Sequence, residues 1–160
     1  DVCGGLAREG SSEPRLYGLL DMASTLLDAM TAPPGTLFRV GLEAKALTFA
    51  GFTPSLSRCA VCGDSVIGEA SDEPMAFHAT AGGAVHRRCE GHGVAVSAAW
   101  LEAVEGARRA PLRDLVDQPL PPGPQWALAE AIEVQLGRAL KSRSVLSSLL
   151  PPTGTDTVRP

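Results

Sequence analysis

The sequence predicts a mainly α fold: a small helical bundle into which a zinc-binding β-hairpin module, ribbon-like in outline, is inserted. Three observations carry this expectation. Apolar residues recur at three- and four-residue steps through most of the chain, the stretch from Cys59 to Cys89 breaks that period, and the same stretch holds cysteines at a ligand spacing. The expected arrangement is a bundle of four or five helices built from residues 1–57 and 94–152, a metal module at 58–93 placed after the second helix, and a disordered tail at 153–160.

Ser11 and Ser12 ahead of Glu13 and Pro14 offer a hydroxyl cap and a first-turn proline. Leu16, Leu19, Leu20, Ala23, Leu26, Leu27 and Met30 follow at helical steps, so a helix is expected over 14–30, stopped by Pro33-Pro34-Gly35. Phe38, Leu42, Ala46 and Phe49, widened by Leu47 and Ala50, mark a second helix with Gly51 at its C′ position. Thr53-Pro54-Ser55 then turns the chain toward Arg58 and Cys59.

Residues 64–74 are acidic and aperiodic and read as a surface loop. Met75–Ala79 and Ala84–His86 read as short strands joined through Thr80-Ala81-Gly82-Gly83, where paired glycines suit a hairpin turn. Ser97 caps a further helix that turns Trp100, Leu101 and Val104 inward with Gly106 near its end, and Leu112, Leu115 and Val116 form a short piece after it. The prolines of 119–124 make a rigid connector. Trp126, Ala129, Ile132, Leu136, Ala139 and Leu140 give the clearest helical stripe, and Ser144–Leu150 a short terminal helix ahead of Pro151-Pro152.

Cys59-Ala-Val-Cys62 and His86-Arg-Arg-Cys89 each put two soft ligands two residues apart, so that one turn of backbone aims both at a single cation. Thiolates and neutral imidazole suit Zn²⁺ at tetrahedral geometry, and four protein ligands close the site, which makes one zinc structural and not catalytic. Gly63 supplies the permissive backbone such a turn requires. The fourth ligand has two candidates: His86, whose spacing to Cys89 mirrors that of Cys59 to Cys62, and His92, carried by Gly91-His92-Gly93. His78 reads as a solvent-side strand residue. A module this small is expected to need its metal in order to hold together.

Arg87 and Arg88, between two ligands, are candidate contacts for DNA phosphates. The alternative is a solvated turn whose guanidiniums offset a site of formal charge about −1, three thiolates and a neutral imidazole around Zn²⁺. Arg138, Lys141 and Arg143 sit where cations complement the negative end of the helix that carries the Trp126–Leu140 stripe.

At 160 residues, 44% of them hydrophobic, the chain can bury a core. No apolar run is long enough to cross a membrane and no signal segment opens the chain, so a cytoplasmic protein without membrane contact is expected. Four cysteines, with Cys3 left over from the metal pattern, make a poor disulfide framework and favour a reducing compartment. With a formal charge of −4 the chain as a whole has no electrostatic claim on a phosphate backbone, and any nucleic-acid contact must be local. Zinc deaminases place a Glu two residues after the ligating His and the cysteine pair later; here Arg87 and Arg88 follow His86 and one cysteine pair precedes it. No phosphate-binding loop, nucleophile elbow or paired-carboxylate signature is present either, so no enzyme is expected.

Three runs, Leu42–Gly63 (LEAKALTFAGFTPSLSRCAVCG), Gly82–Cys89 (GGAVHRRC) and Leu136–Arg143 (LGRALKSR), resemble the C-terminal region of the RecO family of DNA repair and recombination mediators. The resemblance implies an N-terminal OB-fold followed by a helical domain that carries a zinc module in many members, and this chain matches only the second part. Its start at Asp1, without Met, is then expected to be a processing or expression boundary, with the principal basic surface for single-stranded DNA in the absent OB-fold. The resemblance further implies annealing of single strands, binding of the C-terminal tail of single-strand DNA-binding protein, cooperation with RecR and loading of recombinase. Arg39, beside Phe38 and Leu42, is the candidate cation for that acidic tail. Relatives usually carry a fourth Cys where this chain has His86, and some lack the cysteine pairs, so the metal reads as a local device of the fold. A zinc-stabilised helical adaptor that binds only protein is the second functional class the residues allow.

Overall fold

The computed structural model describes residues 2–7, 13–67 and 74–143. In chain order these form α1 (Val2–Leu6), α2 (Pro14–Asp28), α3 (Thr36–Phe49), β1 (Met75–His78), β2 (Gly83–His86), β3 (Val94–Val96), α4 (Ala98–Arg109), a 3₁₀ turn (Leu112–Leu115) and α5 (Ala127–Leu136). The architecture is helical with a small antiparallel sheet of strand order β2-β1-β3.

α3 is the axis of the helical part. Leu37, Phe38, Val40, Ala44, Ala46 and Leu47 are all buried, and α1, α2, α4 and α5 pack around it. A helix enclosed on so many sides needs close approach somewhere, and Gly41 provides it: a Cβ there would stand 2.5 Å from Leu115 Cδ1 and 3.3 Å from Ala107 Cβ. Glu43 and Lys45 are buried with the apolar residues, so the enclosed face is wider than the stripe of Phe38, Leu42, Ala46 and Phe49, and Leu42 and Phe49 are only half-buried. α3 ends as its sequence predicts, with Gly51 at φ +88°, Gly51 N–H donating to Thr48 O and Phe52 N–H donating to Leu47 O.

The other elements depart from the sequence pattern in instructive ways. α2 starts at Pro14 with Glu13 at its N-cap and no side-chain cap, and it ends at Asp28. It buries Leu16, Leu19 and Ala23, but Leu20 and Leu27 face outward because their helical angle lies past the edge of contact with α3. α5 is shorter than its stripe: Gly137 takes φ +62° and stops it, so Leu140 is buried from beyond the helix and Ala139 is exposed. Val66, expected in a surface loop, is fully enclosed. Ser97 caps α4 as expected, its Oγ accepting from Trp100 N–H at 3.1 Å. The expected terminal helix at 144–150, the tail at 153–160 and part of the acidic loop lie outside the described residues.

β1 and β2 form the expected hairpin, with Met75 opposite His86 and His78 opposite Gly83. β3 is an addition: Val94–Val96 pairs with the free edge of β1, Phe77 opposite Val94. Its alternation is too short to read from three residues, two of them Val. The sheet shares one hydrophobic core with the helices, and Phe77 meets Trp100 of α4 edge to face at 6.0 Å. The proline-rich segment covers the other side of Trp100, where a Cβ on Gly123 would stand 2.8 Å from Trp100 Cγ.

Two buried polar networks tie elements together. Lys45 Nζ donates to Arg108 O at 2.8 Å, capping the end of α4, while Glu105 holds Arg108 through two hydrogen bonds of 2.7 and 2.8 Å. Burial, and then the charge of Arg108, lowers the Lys45 amine. Across the core, Arg39 Nη2 donates to Gln125 O at 2.8 Å and its guanidinium lies 4.0 Å from the Trp126 ring centroid. Arg39 Nη1 stands 3.6 Å from Glu43 Oε1, and Arg143 bridges Glu130 and Glu133 at 3.2 and 2.7 Å. Burial pushes the Glu43 carboxyl up to about 7, against the pull of Arg39 and Arg143 and with a push from Glu133.

At Gly83 an added Cβ would meet backbone of Ser55, its N at 2.7 Å, so Gly83→Ala should cost about 1–3 kcal/mol, as overpacking does. Thermal unfolding should show a fall in Tm of roughly 2–10 °C, and an unchanged Tm would mean the strand is free to move. For Glu43 the folded value of about 7 lies above the ordinary 4.5, so its contribution is fully present below pH 4.5 and is lost as pH rises through 7. Glu43→Gln removes that loss: denaturant titrations should find the variant gaining on the parent by up to about 3 kcal/mol between pH 5 and 8, and a pH-independent difference would contradict the assignment.

Candidate metal centre

Cys59, Cys62, His86 and Cys89 converge, each offering one donor atom, with all four atoms within 4.8 Å of one another. Local backbone explains how. Cys59 N–H donates to Asp64 O at 2.8 Å and Gly63 N–H to Cys59 O at 2.9 Å, folding 59–64 into a tight knuckle in which Gly63 takes φ +81°. Arg58 bridges to Ser65 as the chain leaves the knuckle, and Arg58 Nη1 donates to Gly63 O at 3.0 Å. On the other side, His86 ends β2 and its carbonyl accepts from Cys89 N–H at 2.9 Å and Glu90 N–H at 3.1 Å, a single helical turn that returns Cys89 to the ring's side.

The two halves are joined by main chain. Ser55 N–H donates to Gly82 O, Ala84 N–H to Ser55 O and Ala60 N–H to Ala84 O, at 2.9, 2.7 and 2.8 Å. The segment before the first knuckle therefore runs as an extra partner along β2, and the second ligand pair hangs from the same strand. Gly83 is required here because Ser55 passes against its α-carbon.

The donor set fits Zn²⁺. Cys59 and His86 are buried, Cys89 is half-buried and Cys62 is exposed. Burial by itself raises the Cys59 thiol, but backbone groups of Cys62, His86 and Val61 and the Cys62 thiol outweigh it and bring it down to about 6, within the range of metal-binding thiolates. Cys89 is pushed the other way, up to about 11, by desolvation and by the neighbouring Cys62 and Cys59 sulfurs. Such a cluster loses its protons in sequence, and a divalent cation at its centre removes the repulsion that holds the last one back. When bound, the metal would supply cross-linking of the two knuckles; with four protein donors the site keeps no position for a substrate.

His92 lies outside the cluster and is exposed. His78 is half-buried, its Nδ1 accepting from Ala81 N–H at 3.0 Å, so it stabilises the hairpin turn. Arg87 and Arg88 are exposed beside the second knuckle, Arg87 Nη1 donating to Gly91 O at 3.1 Å and Arg88 Nη2 meeting Asp64 Oδ2 at 3.4 Å. The Arg88–Asp64 pair links the two knuckles outside the ligands. Arg39 stands in the α3–α5 network described above, its side chain 20% exposed. Sequence reasoning missed Glu43 and Trp126 as its companions; the four-residue step from Arg39 to Glu43 was the available signal for the first.

The family model described as Recombination protein O C terminal matches residues 3–144. The DNA repair protein RecO of Myxococcus xanthus is 33% identical over 153 residues, an alignment that covers 89% of this chain and 56% of that protein. The DNA repair protein RecO of Desulforudis audaxviator is 33% identical over 90 residues, covering 56% of this chain and 32% of that protein. The chain thus spans about half the length of the longer-matching relative. No solved structure matches it. With the family match running from within α1 to beyond α5, through the sheet and both knuckles, the chain belongs to the RecO family of DNA repair proteins, of which it is a C-terminal domain.

Proposed function

We propose that this chain is the helical, partner-binding part of a recombination mediator acting in DNA repair in the cytoplasm, without covalent catalysis. In this reading it engages RecR and the C-terminal tail of single-strand DNA-binding protein, and it supports strand annealing and recombinase loading. The principal surface for single-stranded DNA belongs to an OB-fold outside this chain. The observation that carries the reading is the family match over residues 3–144. A formal charge of −4 supports placing the main DNA surface elsewhere.

The same proposal assigns one structural Zn²⁺ to Cys59, Cys62, His86 and Cys89. It divides the chain into a mainly α bundle, residues 1–57 and 94–152, and a ribbon-like zinc module at 58–93. The convergence of four donors of zinc-binding type supports the assignment. Arg87 and Arg88 are proposed as local phosphate contacts, supported by their exposure beside the knuckle. Arg39 is proposed as the cation that meets the tail's carboxylates; since its guanidinium already serves Gln125 O and Trp126, a tail would share that cation and not find it free. The net acidity also favours a second reading, a zinc-stabilised adaptor that binds protein alone.

Binding to a labelled single-stranded oligonucleotide, followed by anisotropy across a salt series, separates these readings. The mediator reading expects a Kd weaker than about 1 μM at physiological salt with a shallow slope, near −0.7 per phosphate contact. Arg87→Glu with Arg88→Glu should weaken binding further at low salt. A submicromolar Kd at physiological salt would overturn the placement of the main DNA surface. Absence of binding even at low salt, with retained binding of RecR or of the tail peptide, would select the adaptor.

A further inference from the structure

We infer that His86 binds the metal through Nδ1, with its Nε2 proton held by the main-chain carbonyl of Ser65, so that residues 59–65 supply both two ligands and the group that fixes the tautomer of a third. The inference rests on the metal reading above and concerns which ring nitrogen carries the bond.

The ring's two nitrogens face different chemistry. Nδ1 lies 3.5 Å from Cys62 Sγ, and Nε2 lies 3.3 Å from Ser65 O. In a tetrahedral site with Zn–S about 2.3 Å and Zn–N about 2.0–2.1 Å, the sulfur-to-nitrogen edge is about 3.6 Å. The observed separation of Nδ1 from Cys62 Sγ matches that edge, so a cation placed among the sulfurs meets the Nδ1 lone pair without a change of rotamer.

Nε2 faces a carbonyl oxygen, which accepts but cannot donate. A bare lone pair there would oppose the carbonyl dipole, whereas an N–H makes a long hydrogen bond. The proton therefore sits on Nε2, and the lone pair on Nδ1 is left for the metal. Metal-ligating histidines commonly donate their second N–H to such a carbonyl, which fixes ring orientation and raises ligand basicity.

Ser65 is itself held in place. It bridges to Arg58, its hydroxyl donates to Ile67 O at 2.6 Å, and the next residue, Val66, donates its N–H to Ser57 O at 3.1 Å and is fully enclosed. The segment leaving the first knuckle thus positions the carbonyl that orients a ligand in the second. This gives Val66, buried in what reads as a loop, a role: it anchors the segment that carries Ser65.

The test is NMR of the intact chain loaded with one equivalent of ¹¹³Cd²⁺. Bonding through Nδ1 puts Hε1 three bonds from the metal and Hδ2 four, so the metal should couple to Hε1 of one imidazole alone. Bonding through Nε2 puts both protons three bonds away. His86→Cys keeps four donors and should retain cadmium while losing the imidazole coupling, which assigns the signal to His86 and not to His78 or His92. Coupling to both ring protons overturns the inference, as does coupling that survives His86→Cys or a bound cadmium with no imidazole coupling. Failure of the parent chain to bind cadmium at all would overturn the metal reading and this assignment with it.

Discussion

Thiolates brought together repel one another, and this fold brings Cys59, Cys62 and Cys89 with His86 close enough that their donor atoms lie within 4.8 Å. Backbone groups of Cys62, His86 and Val61, with the Cys62 thiol, draw Cys59 down to about 6 against its burial, while desolvation and then the neighbouring Cys62 and Cys59 sulfurs drive Cys89 up to about 11. A divalent ion at the centre turns that opposition into mutual attraction. The adjoining sheet has strands of three and four residues, too short to be stable alone, so it depends on the hydrophobic core it shares with the helices.

The site is coupled to the core through few contacts, each specific. Ser55 runs against Gly83, Phe77 stacks its edge on Trp100, and Gly123 lets the proline-rich segment close over the same indole. α3 stands behind these, enclosed on most sides and ending at Gly51 in a turn that sends the chain to the first knuckle. The α3–α5 side carries a different chemistry, a guanidinium on an indole with a buried carboxyl beside it. The donor cluster and the Arg39 network thus lie toward opposite ends of the same helix.

Sequence spacing was a good guide wherever one short-range rule decided the outcome. The two-residue gaps in Cys59–Cys62 and His86–Cys89, the Ser97 cap and Gly51 at the end of α3 are all local, and each stands where its rule puts it. Spacing failed where a distant element decided. Leu20 and Leu27 fit the helical period of α2 but are exposed, and Glu43 and Lys45 are buried because α1, α2, α4 and α5 pack around α3. β3 was hidden because three residues carry too little periodicity, and α1 because five residues, two of them Gly, form a helix only by packing on α3 and α5. Spacing points to His86 over His92, and it is His86 that joins the donor cluster; the Ser65 carbonyl facing its Nε2 is a main-chain group that leaves no trace in the sequence.

The central claim is that the two knuckles are closed by one metal ion, and elemental analysis of the chain purified without chelator tests it most directly. The account predicts one zinc per chain, lost when Cys59 and Cys62 are both replaced by Ser. Metal-free protein that keeps its thermal stability, or zinc that survives the double replacement, would contradict it.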